Sequence, residues 1–251
     1  MPAAEQRPRR VALVTGGARR IGRAIAERLA ADGWGVVIGC LRSAEEAAAL
    51  AESLSHARAV VADLATADGP ARLVREAVAA FGRLDLVVNN AAVYRRAPLA
   101  DSDAALLDEA WRVNVRAPML VTREYARVLA ETPGRVINIL DARIASIRAD
   151  QTAYWLSKRA LADATRAMAL EFAPRLLVNA IAPGSALRPK PGLRSSDSGL
   201  RAPDPAGVAP LGRHPGPAEI AAAVAWLAEA PGVTGQILFV DGGLHLGGGL
   251  P

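Results

Sequence analysis

Short apolar segments alternate with longer amphipathic segments along this sequence. Val, Ile and Leu dominate seven predicted strands, at residues 11–15, 35–40, 59–62, 84–89, 135–140, 177–181 and 236–240. Predicted helices lie at about 19–31, 43–55, 68–81, 103–130 (with a break), 152–173 and 217–229. Strands without polar alternation are typical of strands buried on both faces, and repeated strand–helix alternation gives parallel strands with right-handed crossovers. The pattern predicts a doubly wound α/β fold, with a seven-stranded parallel sheet and helices on both faces.

The chain shows neither an internal repeat nor a linker that would divide its 251 residues. We therefore expect residues 10–251 to form a single domain, preceded by a flexible basic tail at 1–9. Residues 183–217 are rich in Pro, Gly and Ser and follow a predicted strand. Because open α/β sheets bind ligands at the carboxyl ends of their strands, this segment is interpreted as a substrate loop.

Composition excludes several classes of protein. A single cysteine, Cys40, rules out a disulfide framework and a cysteine-based zinc site, and no His/Cys/Asp cluster suggests a metal. The net charge of +5 is small, and the basic residues neither cluster nor interleave with aromatics, so we expect no nucleic-acid partner. With no signal peptide and no apolar stretch near the roughly 20 residues that span a bilayer, we expect a cytoplasmic protein without membrane contact.

A glycine-containing loop joins the first predicted strand to the first helix, and it reads Thr15-Gly16-Gly17-Ala18-Arg19-Arg20-Ile21-Gly22. Glycines let backbone N–H groups approach a pyrophosphate, and the helix N-terminus adds a partial positive charge. The position of this loop in a strand–loop–helix unit predicts a Rossmann-type dinucleotide site. An ordinary turn that uses glycine for its geometry is the alternative.

The end of the second predicted strand bears on which dinucleotide binds. A carboxylate there would bind a free ribose 2′-hydroxyl, but this chain has Arg42 and Ser43 instead, with Arg19 in the neighbouring loop. Since guanidinium groups suit phosphate, NADPH is favoured over NADH. Alternatively, Arg42 merely begins a solvated helix.

Tyr154 and Lys158 are four residues apart in a predicted helix and so share one face. A nearby ammonium favours the phenolate and lowers the pKa of a tyrosine. Such a tyrosine can donate a proton while a hydride arrives from a nicotinamide. The spacing alone also fits a surface Tyr/Lys pair.

Taken in order, these motifs resemble those of the short-chain dehydrogenase/reductase family over roughly residues 9–246. The matching features are the glycine loop, Asn89-Asn90-Ala91, Asn114, Tyr154 with Lys158, Pro183-Gly184 and Val240-Asp241-Gly242-Gly243. The resemblance implies that Tyr154 is the acid/base, that Lys158 lowers its pKa and holds the ribose hydroxyls, and that Asn114 keeps a water in the proton path. It places Asp63 by the adenine, Asn89 at the cofactor edge, and residues from Pro183 onward at the carboxamide. The full set of cofactor-binding residues that it implies is Gly16, Arg19, Arg20, Ile21, Gly22, Arg42, Ser43, Asp63, Leu64, Asn89, Ala91, Pro183, Gly184 and Ser185.

Two positions differ from the general family pattern. Asp141 stands thirteen residues before Tyr154, where most members have serine, and Arg20 replaces the middle glycine of the loop. Both features resemble the pteridine reductase branch, which neighbours the bacterial dihydromonapterin reductases. Leu41-Arg42-Ser43 is similar to the branch's phosphate-binding turn, and Tyr94 matches its stacking aromatic.

This narrower resemblance implies NADPH-dependent reduction of a dihydropterin that stacks between Tyr94 and the nicotinamide. Arg20 would reach the pterin carbonyl and a phosphate, with Asp141 and Tyr154 beside the reducible ring. Two other functions stay open: reduction of a carbonyl such as a 3-oxoacyl thioester, and a non-catalytic nucleotide sensor. The resemblance also implies a homotetramer, with the helices at 103–130 and 152–173 as contacts.

Overall fold

The computed structural model describes residue 8 and residues 10–129, 133–147, 149–184 and 209–247. The predicted basic tail at 1–9 therefore lies almost wholly outside the described residues. Most of the predicted substrate loop at 183–217 lies outside them as well.

Seven parallel strands form a sheet with the order β3-β2-β1-β4-β5-β6-β7. They are β1 (Val11–Thr15), β2 (Gly35–Cys40), β3 (Ala57–Val61), β4 (Leu86–Asn89), β5 (Gly134–Ile139), β6 (Leu176–Pro183) and β7 (Ile237–Val240). Side chains of β1, β2 and β4 are buried throughout, because helices cover both faces of the sheet. The predicted doubly wound α/β fold is confirmed.

Seven α-helices surround the sheet in the described part of the chain, and six of them pack on its two faces in two layers. The seven helices are α1 (Arg20–Ala31), α2 (Ala44–Ser53), α3 (Gly69–Phe81), α4 (Ala104–Trp111), α5 (Ala117–Val128), α6 (Thr152–Phe172) and α7 (Pro217–Glu229) within the described residues. Helices α1, α2 and α7 share one hydrophobic core with the sheet. Helices α3, α5 and α6 share the core on the opposite face.

The predicted elements differ from the observed ones mainly at their ends. Strand β3 covers Ala57–Val61 rather than 59–62, because its hydrogen-bonded register with β2 starts at Ala57, before the apolar run. The helix predicted at 103–130 is broken, as expected, and its two halves are joined by a π-helical segment, Arg112–Arg116.

The strand order reverses between β1 and β4, and this reversal positions the candidate site. At such a point the loops after adjacent strands diverge and leave a crevice at the carboxyl edge of the sheet. The hydroxyl of Thr15, at the end of β1, accepts hydrogen bonds from the backbone N–H groups of Asn90 and Ala91, each at 3.0 Å. The glycine loop and the segment after β4 are thus fixed against each other across the crevice.

Candidate active site

The glycine loop is held close to its neighbours by positions that tolerate no side chain. Gly16 has a φ of +61°, which favours glycine, and a Cβ there would lie 3.0 Å from the Cα of Ala91. A Cβ on Gly22 would lie 2.2 Å from the carbonyl oxygen of Gly16. The side-chain amide of Asn90 donates to the carbonyls of Thr15 and Gly16, at 2.9 and 3.0 Å. This cradle, which a Cβ would fill, suits the close backbone approach of a dinucleotide pyrophosphate.

Arg20 begins α1 with a φ of +53°, the left-handed region that non-glycine residues avoid. Holding a non-glycine residue there costs about 1–2 kcal/mol. Its side chain is exposed, and it makes no hydrogen bond or ion pair with other described residues. Ile21 follows it and packs against the core of α1 and β2.

The end of β2 presents the polar groups predicted for a phosphate. Arg42 is exposed, and Ser43 stands at the N-terminus of α2 without using its hydroxyl to cap that helix. Arg19 forms an ion pair with Glu46 in the first turn of α2. The hydrogen bond to Arg19 holds the pKa of Glu46 below its usual value. Sequence reasoning missed Glu46, although it lies three residues after Ser43.

The residues predicted beside the adenine and along the cofactor edge also lie at the carboxyl ends of strands. Asp63 follows β3 and accepts a hydrogen bond from the backbone N–H of Ala65 at 2.9 Å, while Leu64 is buried. The buried amide of Asn89 donates to Asn138 at 2.9 Å, which ties β4 to β5.

On the other side of the crevice, Pro183 ends β6, and the N–H of Gly184 donates to the carbonyl of Val240 at 3.0 Å. A Cβ on Gly184 would lie 2.9 Å from the Cα of Asp241, so this turn also depends on glycine. Ser185 lies outside the described residues.

Asp141 and Tyr154 meet directly. Asp141 follows β5, and its Oδ1 accepts from the backbone N–H of Arg143 at 2.9 Å, which fixes the carboxylate at the start of a short 3₁₀ turn. The hydroxyl of Tyr154, in the first turn of α6, donates to Oδ2 of Asp141 at 3.2 Å. The structure therefore brings these two predicted catalytic residues together.

The pKa of Tyr154 differs from the expectation. Burial and the Asp141 carboxylate raise it well above the ordinary value, whereas Arg143 is the cation that lowers it. The ammonium of Lys158 lies 5.9 Å from the centre of the tyrosine ring and donates to the carbonyl of Ile139 at 2.7 Å.

Lys158 itself is only 3% exposed. Burial lowers its pKa to about 8, against a smaller opposite effect of Asp141. An ammonium with one carbonyl acceptor has two further protons to donate, which suits the predicted contact with ribose hydroxyls.

Asn114 lies in the π-helical segment between α4 and α5 and is fully buried. Its side chain accepts from the N–H of Val93 at 2.8 Å, and donates to the carbonyl of Val93 at 3.0 Å and to Ser157 at 2.9 Å. π-Helical turns are frequent at functional sites. Asn114 thus joins the segment after β4 to the helix that carries Tyr154 and Lys158.

Tyr94 stands edge-on to Tyr154, with ring centroids 4.8 Å apart and an interplanar angle of 84°. Its hydroxyl donates to Oε1 of Gln151 at 2.9 Å, and the residue is 38% exposed. The amide nitrogen of Gln151 is buried and has no hydrogen-bond partner among the described residues. Sequence reasoning missed Gln151, since only the 3₁₀ turn before α6 brings it to Tyr94.

A shallow hollow opens beside Tyr154. It is lined by Val93, Arg95, Leu106, Glu109, Ala110, Ala153 and Tyr154.

Within the described residues, no group of three or more His, Cys, Asp or Glu side chains could hold a metal ion. None of the helices described is long and apolar enough to cross a membrane.

The fold and this site define a class of oxidoreductase. A family model described as Enoyl-(Acyl carrier protein) reductase matches residues 16–245. An uncharacterized oxidoreductase of Mycobacterium tuberculosis is 39% identical over 94% of this chain and 92% of its own. The chain belongs to the short-chain dehydrogenase/reductase family.

Two further relatives differ in what they act on. The 3-oxoacyl-[acyl-carrier-protein] reductase of Synechocystis is 34% identical over 93% of this chain and 96% of its own. FolM alternative dihydrofolate reductase 1 from Brucella canis, solved in complex with NADP, is 36% identical, with a TM-score of 0.85 over 95% of both chains. This chain is therefore similar both to a 3-oxoacyl-[acyl-carrier-protein] reductase and to a reductase of the predicted pterin-related branch.

Proposed function

We propose that this chain is an NADPH-dependent reductase that converts a dihydropterin to a tetrahydropterin, with Tyr154 as proton donor. The observation that carries the proposal is the hydrogen bond from Tyr154 to the Asp141 carboxylate, where most family members have serine. Further support comes from the similar Brucella protein, which is named as a dihydrofolate reductase.

The cofactor assignment rests on residues that fit NADPH. The glycine cradle suits the pyrophosphate, and Arg42, Ser43 and Arg19 supply two guanidinium groups and a hydroxyl for a 2′-phosphate. The Brucella relative was solved with NADP. When bound, NADPH supplies the hydride that reduces the C=N bond of the dihydropterin.

Tyr154 donates its hydroxyl proton to the ring nitrogen of that bond, so the C=N bond becomes CH–NH. Lys158 holds the ribose hydroxyls with the N–H groups that Ile139 leaves free. Asn114 keeps a water beside Lys158, from which Tyr154 recovers its proton. A sensor that only bound the nucleotide would have no need of this proton relay.

Asp141 selects the substrate class. An ionised carboxylate is purely an acceptor, so it can bind the ring N–H and amino groups of a pterin. A ketone develops an oxyanion on reduction, and a carboxylate at this position opposes that charge. In a pterin the developing charge lies on a ring nitrogen that takes up a proton, which weakens this objection.

Tyr94 and Arg20 complete the proposed substrate site. The ring of Tyr94 is partly exposed and stands next to Tyr154, so it can stack on a flat heterocycle. Arg20 keeps a strained backbone that glycine would relieve, which favours a functional reason for its guanidinium. We propose that this guanidinium binds the pterin carbonyl and a cofactor phosphate.

A second candidate function is reduction of a 3-oxoacyl thioester. The Synechocystis relative, named for that activity, favours it. Under this alternative, Tyr154 would donate its proton to a ketone oxygen, and Asp141 would only orient Tyr154.

Oxidation of NADPH at 340 nm distinguishes the two functions. We expect turnover with dihydrobiopterin, dihydromonapterin or dihydrofolate, and a much lower kcat/KM with an acetoacetyl thioester. A preference for the thioester over every pterin would contradict the proposal and support the second function.

We further propose a single-domain subunit, with residues 183–217 as its substrate loop, that works as a cytoplasmic homotetramer. The helices predicted as subunit contacts carry exposed apolar side chains, among them Trp111 on α4, 54% exposed, and Leu170 on α6, 86% exposed. Large exposed apolar groups favour association. Light scattering of the purified protein tests the tetramer.

A further inference from the structure

Arg143 lies next to the catalytic pair but has no role in the proposed function. We propose that Arg143 is a positioning residue: its guanidinium offsets the Asp141 charge beside the Tyr154 hydroxyl, and so keeps Tyr154 able to release its proton. The inference rests on Tyr154 as proton donor, but not on the identity of the substrate.

Arg143 and Tyr154 lie against the same carboxylate oxygen of Asp141. Nη1 of Arg143 lies 3.7 Å from Oδ2 of Asp141, the same atom that accepts from Tyr154 at 3.2 Å. The side chains of Arg143 and Asp141 are 15% and 18% exposed, so water screens this ion pair only partly.

The backbone of Arg143 also makes hydrogen bonds with Asp141 and with the catalytic helix. Its N–H donates to Oδ1 of Asp141 at 2.9 Å, and its carbonyl accepts from the indole N–H of Trp155 at 3.1 Å. Since Trp155 follows Tyr154 on α6, these contacts couple the turn after β5 to the catalytic helix. The backbone from which the Arg143 side chain extends is thereby fixed next to the carboxylate.

The charges around Tyr154 show why a second cation matters. When Tyr154 gives up its proton, the phenolate faces the Asp141 carboxylate, and this repulsion raises the pKa of Tyr154. Lys158 loses its charge before Tyr154 does, because its pKa is lowered to about 8 while that of Tyr154 is raised, and its ammonium donates to Ile139. Guanidinium groups, unlike ammonium groups, do not deprotonate in proteins.

Other groups near Tyr154 do not replace Arg143. Tyr94 is not a cation, and its effect is to raise the pKa of Tyr154. Arg95 and Glu109, which line the adjacent hollow, pair with each other at 3.1 Å. Arg143 is therefore the guanidinium that pairs with Asp141 in the described part of the site.

The test is the pH profile of single-turnover NADPH oxidation, with whichever substrate class the wild type reduces. Arg143→Met and Arg143→Gln both remove the charge, and Arg143→Lys retains it. We expect the rate at pH 7 to fall about three- to tenfold in Arg143→Met and Arg143→Gln. The alkaline limb of the profile, where the rate falls as Tyr154 loses its proton, should move up by on the order of one pH unit in both variants. Arg143→Lys should keep most of the wild-type rate and of the wild-type position of the limb. The control Arg166→Met, which removes an exposed arginine on α6, should change neither the rate nor the limb.

A merely structural role would lower the rate at every pH without moving the limb. Superimposable limbs in wild type, Arg143→Met and Arg143→Gln would thus overturn the inference while leaving the proposed function intact. A wild type that reduces only the thioester would overturn the proposed function, yet the Arg143 test would run unchanged with that substrate. A wild type that reduces neither substrate would overturn both.

Discussion

The two sides of the crevice recognise their ligands in different ways. On the glycine-loop side, the fixed elements are backbone atoms at close approach, and the charged groups Arg19, Arg20 and Arg42 are exposed. On the opposite side, Asp141, Tyr154 and Lys158 are buried or partly buried; Tyr154 donates a hydrogen bond to Asp141, and Lys158 donates one to the carbonyl of Ile139. Charges on the first side are screened by water, whereas those on the second act on each other at low dielectric.

This difference predicts where single substitutions matter most. Each exposed arginine contributes only a limited part of the affinity for a phosphate. In the buried cluster one proton or one charge changes the chemistry of its neighbours. Substitutions there should therefore affect turnover and pH dependence much more than cofactor affinity.

Tyr154→Phe should have the largest effect. The substitution keeps the ring and its contact with Tyr94 but removes the proton, and general acid catalysis contributes roughly 10²- to 10⁴-fold. We expect kcat to fall by that order while the Kd for NADPH, measured by fluorescence titration, stays unchanged. Near-normal turnover would show that the proton comes from elsewhere, with Asp141 or water as the next candidates.

Lys158 should make the free energy of unfolding depend on pH. Its pKa is lowered to about 8 from 10.5, so below pH 8 both states carry the charge and folding bears the full burial penalty. Between pH 8 and 10.5 the folded state is neutral while the unfolded state is still protonated, so stability rises with pH. Relative to Lys158→Met, the wild type should gain about 3 kcal/mol over this range in urea titrations. A stability difference that stays constant across the range would contradict the lowered pKa.

Arg42→Ala tests the exposed side. Losing one charge-assisted phosphate contact costs about 1.5–3 kcal/mol, which is about one to two decades in affinity. We expect weaker NADPH binding with NADH binding little changed. Equal losses of affinity for the two cofactors would show that Arg42 does not bind the 2′-phosphate.

Glu46→Gln should have the smallest effect, and in the opposite direction. Glu46 pairs with Arg19, and release of that guanidinium should tighten NADPH binding by at most about fivefold, because water screens an exposed ion pair and leaves it weak. Glu45→Gln removes the neighbouring charge in the same helical turn and serves as the control. Equal tightening in both variants would indicate a general charge effect rather than competition for Arg19.

The regular fold can be predicted well from the sequence, and so can the placement of Tyr154 and Lys158 on one helix, for physical reasons. Buried strands such as β1 and β2 are apolar throughout, and the four-residue spacing of Tyr154 and Lys158 on a helix fixes their shared face. The edge strand β3 is less apolar, with Arg58 exposed, so its start was misplaced by two residues.

Contacts that depend on irregular segments escape such reasoning. Arg143 and Gln151 lie in 3₁₀ turns whose packing decides what they touch, and no spacing rule marks them. The π-helical turn at Asn114 likewise depends on its contacts with Val93 and Ser157. The pKa of Tyr154 could not be predicted from its neighbour Lys158 alone, because burial and Asp141 dominate it.

The central claim is that Asp141 makes this site a pterin site, and Asp141→Ser tests it most directly. Serine supplies a donor for a carbonyl oxygen, and it leaves Arg143 unpaired beside the position where an oxyanion would form. The measurement is kcat/KM for dihydropterins and for an acetoacetyl thioester in both proteins. We predict that the wild type reduces dihydropterins and is poor on the thioester, and that Asp141→Ser loses pterin activity and gains activity on the thioester. A wild type that prefers the thioester, or a serine variant that keeps full pterin activity, would contradict the account.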